Sequence, residues 1–168
     1  MYMGIVRGEV NIDAVAYCCY PAHMVGQPPQ PEIEVWARLI RVSQTLAGEI
    51  ETDLKAADCV PLSWYDALLE LDRAGDPGLR PFQLQDRMLL AQYNLSRLLD
   101  RLAKAGYVAR SRSLEDGRGQ VLRITPEGRA ARRRTWPVYR DAIQRRFAGR
   151  LDDESIGRLG DILARLRD

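Results

Sequence analysis

The sequence is poor in the residues that enzyme active sites and metal centres commonly use. Among its 168 residues it has a single histidine, His23, which leaves little basis for a catalytic histidine or for a zinc site of mixed ligands. It also contains neither a glycine-rich phosphate loop nor a recognisable Ser/His/Asp set. We therefore predict a protein that is not an enzyme and that holds no cofactor and no metal.

Cysteine and long apolar runs are scarce as well. Cys18 and Cys19 are adjacent and Cys59 is distant, and this odd count of three implies no disulfide framework. No stretch approaches the roughly 20 apolar residues of a membrane span. Glu9 and Asp13 interrupt the only region that could serve as the core of a secretory signal. These features predict a cytoplasmic protein without a membrane partner.

Positive charge, in contrast, is abundant in one part of the chain. Residues 97–150 carry 15 basic and 5 acidic side chains, whereas the formal net charge of the whole chain is only +2. Residues 1–96 carry 7 basic and 13 acidic side chains. A positive block in an otherwise acidic chain is typical of a nucleic-acid-binding face, although an arginine-rich solvated helix face gives the same pattern.

Hydrophobic periodicity predicts a mainly α fold with one small β-hairpin. Ser63 is expected to cap the second helix, Gly106 to end the fourth, and Asp152 to cap the sixth. Thr125 and Pro126 suit the N-cap and the first position of the fifth helix. The helices are expected at about 32–55, 63–75, 81–88, 92–105, 126–147 and from about 153 onward.

The segment between the fourth and fifth helices has the pattern of a hairpin. YVARSRS (107–113) and QVLRIT (120–125) have strand character and enclose the glycine-containing LEDGRG. The order helix, short helix, turn, helix and hairpin is that of a winged helix-turn-helix, in which the last helix enters the major groove and the hairpin is the wing.

Three motifs in this order resemble the MarR family of bacterial transcriptional regulators: SWYDALLEL, LSRLLDRLAKAGYVAR and EDGRGQVLRITPEG. The similarity covers roughly residues 32–168. It implies a winged helix-turn-helix at 61–125 flanked by dimerisation helices at 32–60 and 126–168. Residues 1–31 are expected to be a leader, either disordered or a non-native start. The resemblance implies a homodimer that binds a pseudo-palindromic operator in double-stranded DNA.

The fourth helix is the expected reader of DNA sequence. Its apolar stripe must face the core, which leaves polar side chains near its N-terminus for the bases. Amide side chains pair well with adenine and arginine pairs well with guanine. Family members often have a serine or threonine that caps this helix, but Ala91 stands at that place. The expected contacts are Gln92, Tyr93, Asn94, Ser96, Arg97 and, to phosphate, Arg101.

The wing is the second expected contact with DNA. The family carries an Asp-x-Arg pair at the wing tip that maps onto Asp116 and Arg118, with Gly117 between them. Arginine suits a narrow minor groove, where the negative potential is enhanced. Arg110 and Arg112 on the first strand are expected to contact phosphate. A structural role is favoured for the run Arg132, Arg133 and Arg134, because the fifth helix leads away from DNA.

The resemblance also implies a pocket for a small aromatic effector between the dimerisation helices and the winged core. The candidate lining residues are Trp36, Trp64, Tyr65, Trp136 and Tyr139, although core or dimer packing is the favoured explanation for each of them taken singly. Two alternatives stay open. One is a cysteine-based redox-sensing regulator, although no cysteine lies near the start of the first helix as in redox-sensing family members. The other is a winged-helix module that binds a protein and not DNA.

Overall fold

The computed structural model describes residues 30–89, 94–112 and 119–166. The predicted mainly α fold with a small β-hairpin is confirmed. Most of the predicted leader lies outside the described residues. The elements are α1 (Pro31–Ala56), α2 (Leu62–Ala74), α3 (Pro81–Arg87), α4 (Leu95–Lys104), β1 (Val108–Arg112), β2 (Gln120–Ile124), α5 (Pro126–Arg146) and α6 (Asp153–Arg165), with a 3-10 turn at Ala148–Arg150.

The chain divides into two units, residues 1–40 and residues 41–168, and the division falls within α1. In the described part of the first unit, Glu34 and Arg38 form an exposed ion pair one helical turn apart, at 3.5 Å. Val35 and Trp36 are 64% and 63% exposed. This first part of α1 therefore presents large apolar side chains to solvent.

The core of the second unit lies where α2, α3 and α4 meet the hairpin. The leucines that fill it come from all of these elements and are fully buried: Leu68, Leu71, Leu84, Leu102 and Leu122. Burial of each such side chain contributes about 1.5–3 kcal/mol. The hairpin is thus part of the core and not a free arm.

The start of α2 differs from the sequence prediction. Ser63 lies inside the helix, which begins at Leu62 after Pro61 with no side-chain cap from its own N-cap residue. The N–H of Leu62 instead donates to Oε2 of Glu51 on α1, over 2.7 Å. A carboxylate suits this place because the first N–H groups of a helix lack intrahelical partners and carry partial positive charge.

A residue in the turn before α3 pairs with the second strand of the hairpin and so extends the two-stranded sheet. β1 and β2 are antiparallel, with Val108 opposite Ile124 and Arg112 opposite Gln120. Leu79 exchanges both backbone hydrogen bonds with Leu122 of β2, at 3.0 and 2.8 Å. Gly78 makes this approach possible. Its φ is +71°, and a Cβ there would lie 2.4 Å from the Leu122 carbonyl oxygen.

The predicted caps of the last two helices are confirmed. The Thr125 hydroxyl accepts a hydrogen bond from the N–H of Gly128, at 3.0 Å, and Pro126 occupies the first position of α5. Asp152 accepts from the N–H of Ser155, at 2.8 Å. α5 continues through Pro137 to Arg146. No described helix has the length and apolar character needed to cross a membrane.

Ion pairs fasten α5 to two other helices of the second unit. Asp53 on α1 receives hydrogen bonds from Arg146 and Arg145 at 3.0–3.2 Å. Asp72 on α2 lies 2.9 Å from Arg129 and 2.8 Å from Arg132. Acids from the first half of the chain therefore neutralise part of the basic segment.

Candidate nucleic-acid interface

α4 separates its apolar and polar side chains onto opposite faces. Leu98, Leu99 and Leu102 are buried in the core. Ser96, Arg97 and Arg101 are exposed. A helix with this arrangement can rest on its own domain and still present an arginine-rich face to a partner.

The N-terminus of α4 lies later in the chain than predicted. The helix begins at Leu95, and the expectation of a start near Gln92 is wrong because Asn94 adopts a non-helical conformation and is the N-cap. Its Oδ1 accepts a hydrogen bond from the N–H of Arg97, at 3.0 Å. The cap that Ala91 cannot supply thus comes from Asn94. Gln92 and Tyr93 lie outside the described residues.

The first wing strand carries two of the predicted contact residues. Nη2 of Arg110 lies 2.7 Å from Oδ1 of Asp100 on α4, so this guanidinium already has one partner within the protein. Arg112 is exposed at the far end of β1, opposite Gln120. The predicted tip contacts Asp116, Gly117 and Arg118 lie outside the described residues.

Several other arginines have partners within the protein. Arg123 of β2 donates to the carbonyl of Asp76, at 2.6 Å, and to the hydroxyl of Ser111, at 2.7 Å. Arg132 pairs with Asp72 and lies beside the hydroxyl of Tyr65. The structural role that the sequence favoured fits Arg132, whereas Arg133 and Arg134 are exposed.

Three of the five predicted ligand-binding aromatics form one cluster. The ring centroid of Tyr65 lies 4.9 Å from that of Tyr139 and 6.5 Å from that of Trp136. Burial raises the pKa values of the Tyr65 and Tyr139 hydroxyls. Trp64 instead meets Tyr107 edge-on at 6.0 Å. Trp36 lies in the first unit.

The two aromatic groups border different cavities. A small cavity of about 60 Å³ lies among Leu62, Tyr65, Asp66, Leu69, Leu89 and Tyr139. An open cleft of about 670 Å³ includes Cys59, Val60, Trp64, Tyr107, Arg134 and Val138 in its lining. Cys59 is half-buried, and its thiol donates weakly to the carbonyl of Ala57, at 3.7 Å. Across the described ranges, no cluster of three or more His, Cys, Asp or Glu residues could hold a metal ion.

Helices α2 to α4, the paired hairpin and the polar face of α4 define a winged helix-turn-helix protein. A sequence profile of the MarR family matches residues 60–119. Over this segment the chain is similar to the MarR family, whose members are transcriptional regulators and not enzymes.

Individual relatives agree with this assignment. The chain is 33% identical over 106 residues to an uncharacterised HTH-type transcriptional regulator of Bacillus cereus, a match that covers 61% of this chain and 66% of the relative. It is 30% identical over 105 residues to the transcriptional repressor YetL of Bacillus subtilis, covering 61% and 63%. Both matches span just under two thirds of the relative's length.

A solved structure with a similar fold is Sco3205 of Streptomyces coelicolor, a MarR family transcriptional regulator determined in complex with DNA. The TM-score is 0.74 at 28% identity, and the match covers 84% of this chain and 92% of Sco3205. A mutant of MarR from Escherichia coli, determined in complex with operator DNA, has a TM-score of 0.70 at 23% identity, covering 83% and 99%. The latter shows a likeness of fold alone.

Proposed function

We propose that this protein regulates transcription by binding a pseudo-palindromic operator in double-stranded DNA as a homodimer. The observation that carries the proposal is the geometry of α4, whose leucines are buried while Ser96, Arg97 and Arg101 face solvent. An exposed helix face of this kind, with a wing beside it, is the arrangement that reads base edges in the major groove. The DNA complex of Sco3205 supports the same use of the fold.

The part of the DNA that each side chain is proposed to contact follows from its position on the fold. Asn94, Ser96 and Arg97 occupy the N-terminal end of α4, the end that reaches base edges in helix-turn-helix proteins. Arg101 lies one turn further on, where it would meet phosphate. Arg112 on the wing strand is also assigned to phosphate. At the wing tip, Arg118 is assigned to the minor groove, on the strength of the family resemblance.

The homodimer is supported by apolar surface that the single chain does not bury. No residue of α6 is buried between Asp153 and Arg165. Along this helix and its end, Ile162 is 54% exposed, Leu163 43% and Leu166 69%. A stripe of this size on one helix is typical of a protein interface. Two copies related by a two-fold axis would also present two reading helices to the two halves of a palindromic operator.

We further propose that a small aromatic molecule modulates DNA binding from the cleft beside Trp64. Trp64, Tyr107 and Arg134 are among the residues that line the cleft. Aromatic walls with one cation suit a planar ligand that carries an acidic group. The cluster of Tyr65, Trp136 and Tyr139 is assigned to packing, because its rings contact one another.

Selection of bound duplexes from a random DNA library, followed by sequencing, tests the central proposal. A dimeric reader should enrich two inverted half-sites whose centres are about 10 base pairs or a multiple apart. Binding to the enriched duplex should weaken by about 10³–10⁵ between 50 and 200 mM salt if the dimer makes roughly 6–10 phosphate contacts. Enrichment of no sequence, together with binding that salt leaves unchanged, would refute DNA recognition.

The wing is tested by Arg118→Ala in the same binding assay. Loss of the tip guanidinium should lower affinity for the selected duplex while the thermal unfolding temperature stays close to that of the wild type. Arg158→Ala is the matched control, because Arg158 is an exposed arginine on α6 that pairs locally with Glu154. Equal affinity of the two variants for the selected duplex would show that the guanidinium at the wing tip does not contribute to DNA binding.

A further inference from the structure

We propose that Asp66 is a positioning residue for DNA reading: from inside the domain, its carboxylate fixes the backbone at Leu89, where the chain leaves α3 on the way to α4. The inference rests on the proposed DNA-binding function. It assigns to a buried acid, which is not itself one of the proposed DNA contacts, control over where the reading helix begins.

A hydrogen bond joins the buried face of α2 to the backbone just after the end of the short helix α3. Oδ2 of Asp66 accepts a hydrogen bond from the N–H of Leu89, at 2.8 Å and across 23 residues of sequence. Asp66 is only 3% exposed, and its neighbours Ala67 and Leu68 on α2 are fully buried. The packed core therefore holds the Asp66 carboxylate in place, so that it acts as a fixed acceptor for the backbone at Leu89.

The side chain of Leu89 does not anchor this segment in the apolar core. It is 77% exposed, although the amide of the same residue is bonded to a buried carboxylate. The last backbone bond of α3 is donated by Met88 to the Leu84 carbonyl, and Met88 already has an extended conformation. Leu89 thus lies beyond the helix with its own side chain exposed, and the carboxylate of Asp66 ties its backbone to the core next to Met88, whose side chain packs against the core cluster.

The loose packing around Asp66 and the cost of burying its charge both make this hydrogen bond more important for the position of Leu89. The cavity of about 60 Å³ is lined by both Asp66 and Leu89, so the region around the bond is not tightly packed. A buried carboxylate is also costly unless it is hydrogen-bonded. An apolar residue at position 66 would avoid that cost but would leave the N–H of Leu89 without this acceptor. The acid is best explained by the position that it imposes on the backbone.

Three single substitutions separate this role from a general effect on folding. Asp66→Ala removes the acceptor, and Asp66→Asn keeps an oxygen of similar position. Glu70→Gln is the matched control, because Glu70 is a buried acid one turn along the same helix whose partner is the exposed Arg73. Each full-length protein is measured for amide hydrogen exchange at Leu89 by NMR, for thermal unfolding, and for affinity towards the duplex that the wild type selects from a random library.

Asp66→Ala should speed exchange at Leu89 and weaken operator binding by about tenfold to a hundredfold, the range for loss of a charge-assisted hydrogen bond. The slope of affinity against salt should stay unchanged, because no phosphate contact is lost. Asp66→Asn should restore much of the slow amide exchange at Leu89 and much of the operator affinity. If the alanine variant does not fold, the asparagine variant still tests the proposal. Glu70→Gln should leave Leu89 exchange and binding near the wild type.

The outcomes distinguish this proposal from the one on which it rests. A wild type that selects no DNA refutes the proposed function, and the positioning role falls with it. A wild type that binds DNA, together with an Asp66→Ala protein in which Leu89 exchanges faster but affinity is unchanged, refutes the positioning role alone. Unchanged exchange at Leu89 in that variant likewise overturns it.

Discussion

Asp100 and Arg110 join the fourth helix to the wing through a hydrogen-bonded ion pair of 2.7 Å. Asp100 is the more exposed partner, with 65% of its side chain accessible against 29% for Arg110. The guanidinium is thereby held against α4. An arginine in this position has two possible roles in DNA binding: it contacts phosphate directly, or it fixes the wing relative to the helix.

Substitution of each partner distinguishes these roles. Arg110→Ala should lower affinity about equally for all DNA sequences and reduce the slope of log affinity against log salt by about one, because one phosphate contact is lost. Asp100→Ala breaks the same ion pair but leaves the guanidinium, so the slope should be retained. Titrations of both variants at several salt concentrations provide the measurement. If Asp100→Ala weakens binding as much as Arg110→Ala, the phosphate role of Arg110 is wrong.

Asn94 has two possible roles of its own, because it caps α4 through its carbonyl oxygen and carries an amide that suits adenine. Asn94→Ala should lower the free energy of unfolding by about 1 kcal/mol, the usual cost of a lost N-cap. Asn94→Ser keeps a capping oxygen and should stay near wild-type stability. If the amide reads a base, the serine variant should still bind the operator about tenfold more weakly. Wild-type affinity in Asn94→Ser would restrict Asn94 to capping.

The exposed stripe of α6 gives a direct test of the dimer. Ile162→Glu places a charge on a side chain that is 54% exposed in the single chain. It should therefore leave the fold intact but separate the subunits, since burial of an unpaired charge in an interface is costly. Sedimentation equilibrium and circular dichroism measure the two effects. Arg158→Gln, on the same helix, is the control and should remain dimeric. A wild type that sediments as a monomer would contradict the proposed homodimer.

Local signals in the sequence were sufficient for most of the fold. Thr125 and Asp152 were correctly identified as caps because each bonds to a backbone N–H only three residues away. The leucine stripe of α4 was likewise predicted from helical spacing. These features depend on chain geometry over a few residues, and the geometry is the same in every protein.

Contacts between distant segments were not predictable in this way. Glu51 caps α2 from another helix, and Leu79 pairs with Leu122 across 43 positions of sequence. Such contacts depend on how the elements pack, which periodicity does not specify. The same holds for the basic segment, where charge suggested a nucleic-acid face but Arg146 instead pairs with Asp53, 93 residues away.

The ion pair between Asp53 and Arg146 predicts how the free energy of unfolding depends on pH. The hydrogen bonds from Arg146 lower the pKa of the Asp53 carboxyl below its usual value of about 3.9, and they outweigh the opposing effect of burial. A carboxyl whose pKa is lower in the folded state stabilises the fold above its unfolded pKa and loses that contribution as pH falls through the folded one. Asp53→Asn should therefore be less stable than the wild type at pH 7, with a difference that shrinks below about pH 4.

Denaturant unfolding of both proteins at pH 7 and pH 3 measures this change. Asp161→Asn is the control, because Asp161 is exposed on α6, and its effect should be small at both pH values. The asparagine at position 53 keeps the shape of the side chain and removes only its charge, so the comparison isolates the ion pair from packing. A stability difference for Asp53→Asn that is the same at both pH values would show that Arg146 does not favour the ionised carboxylate in the folded protein.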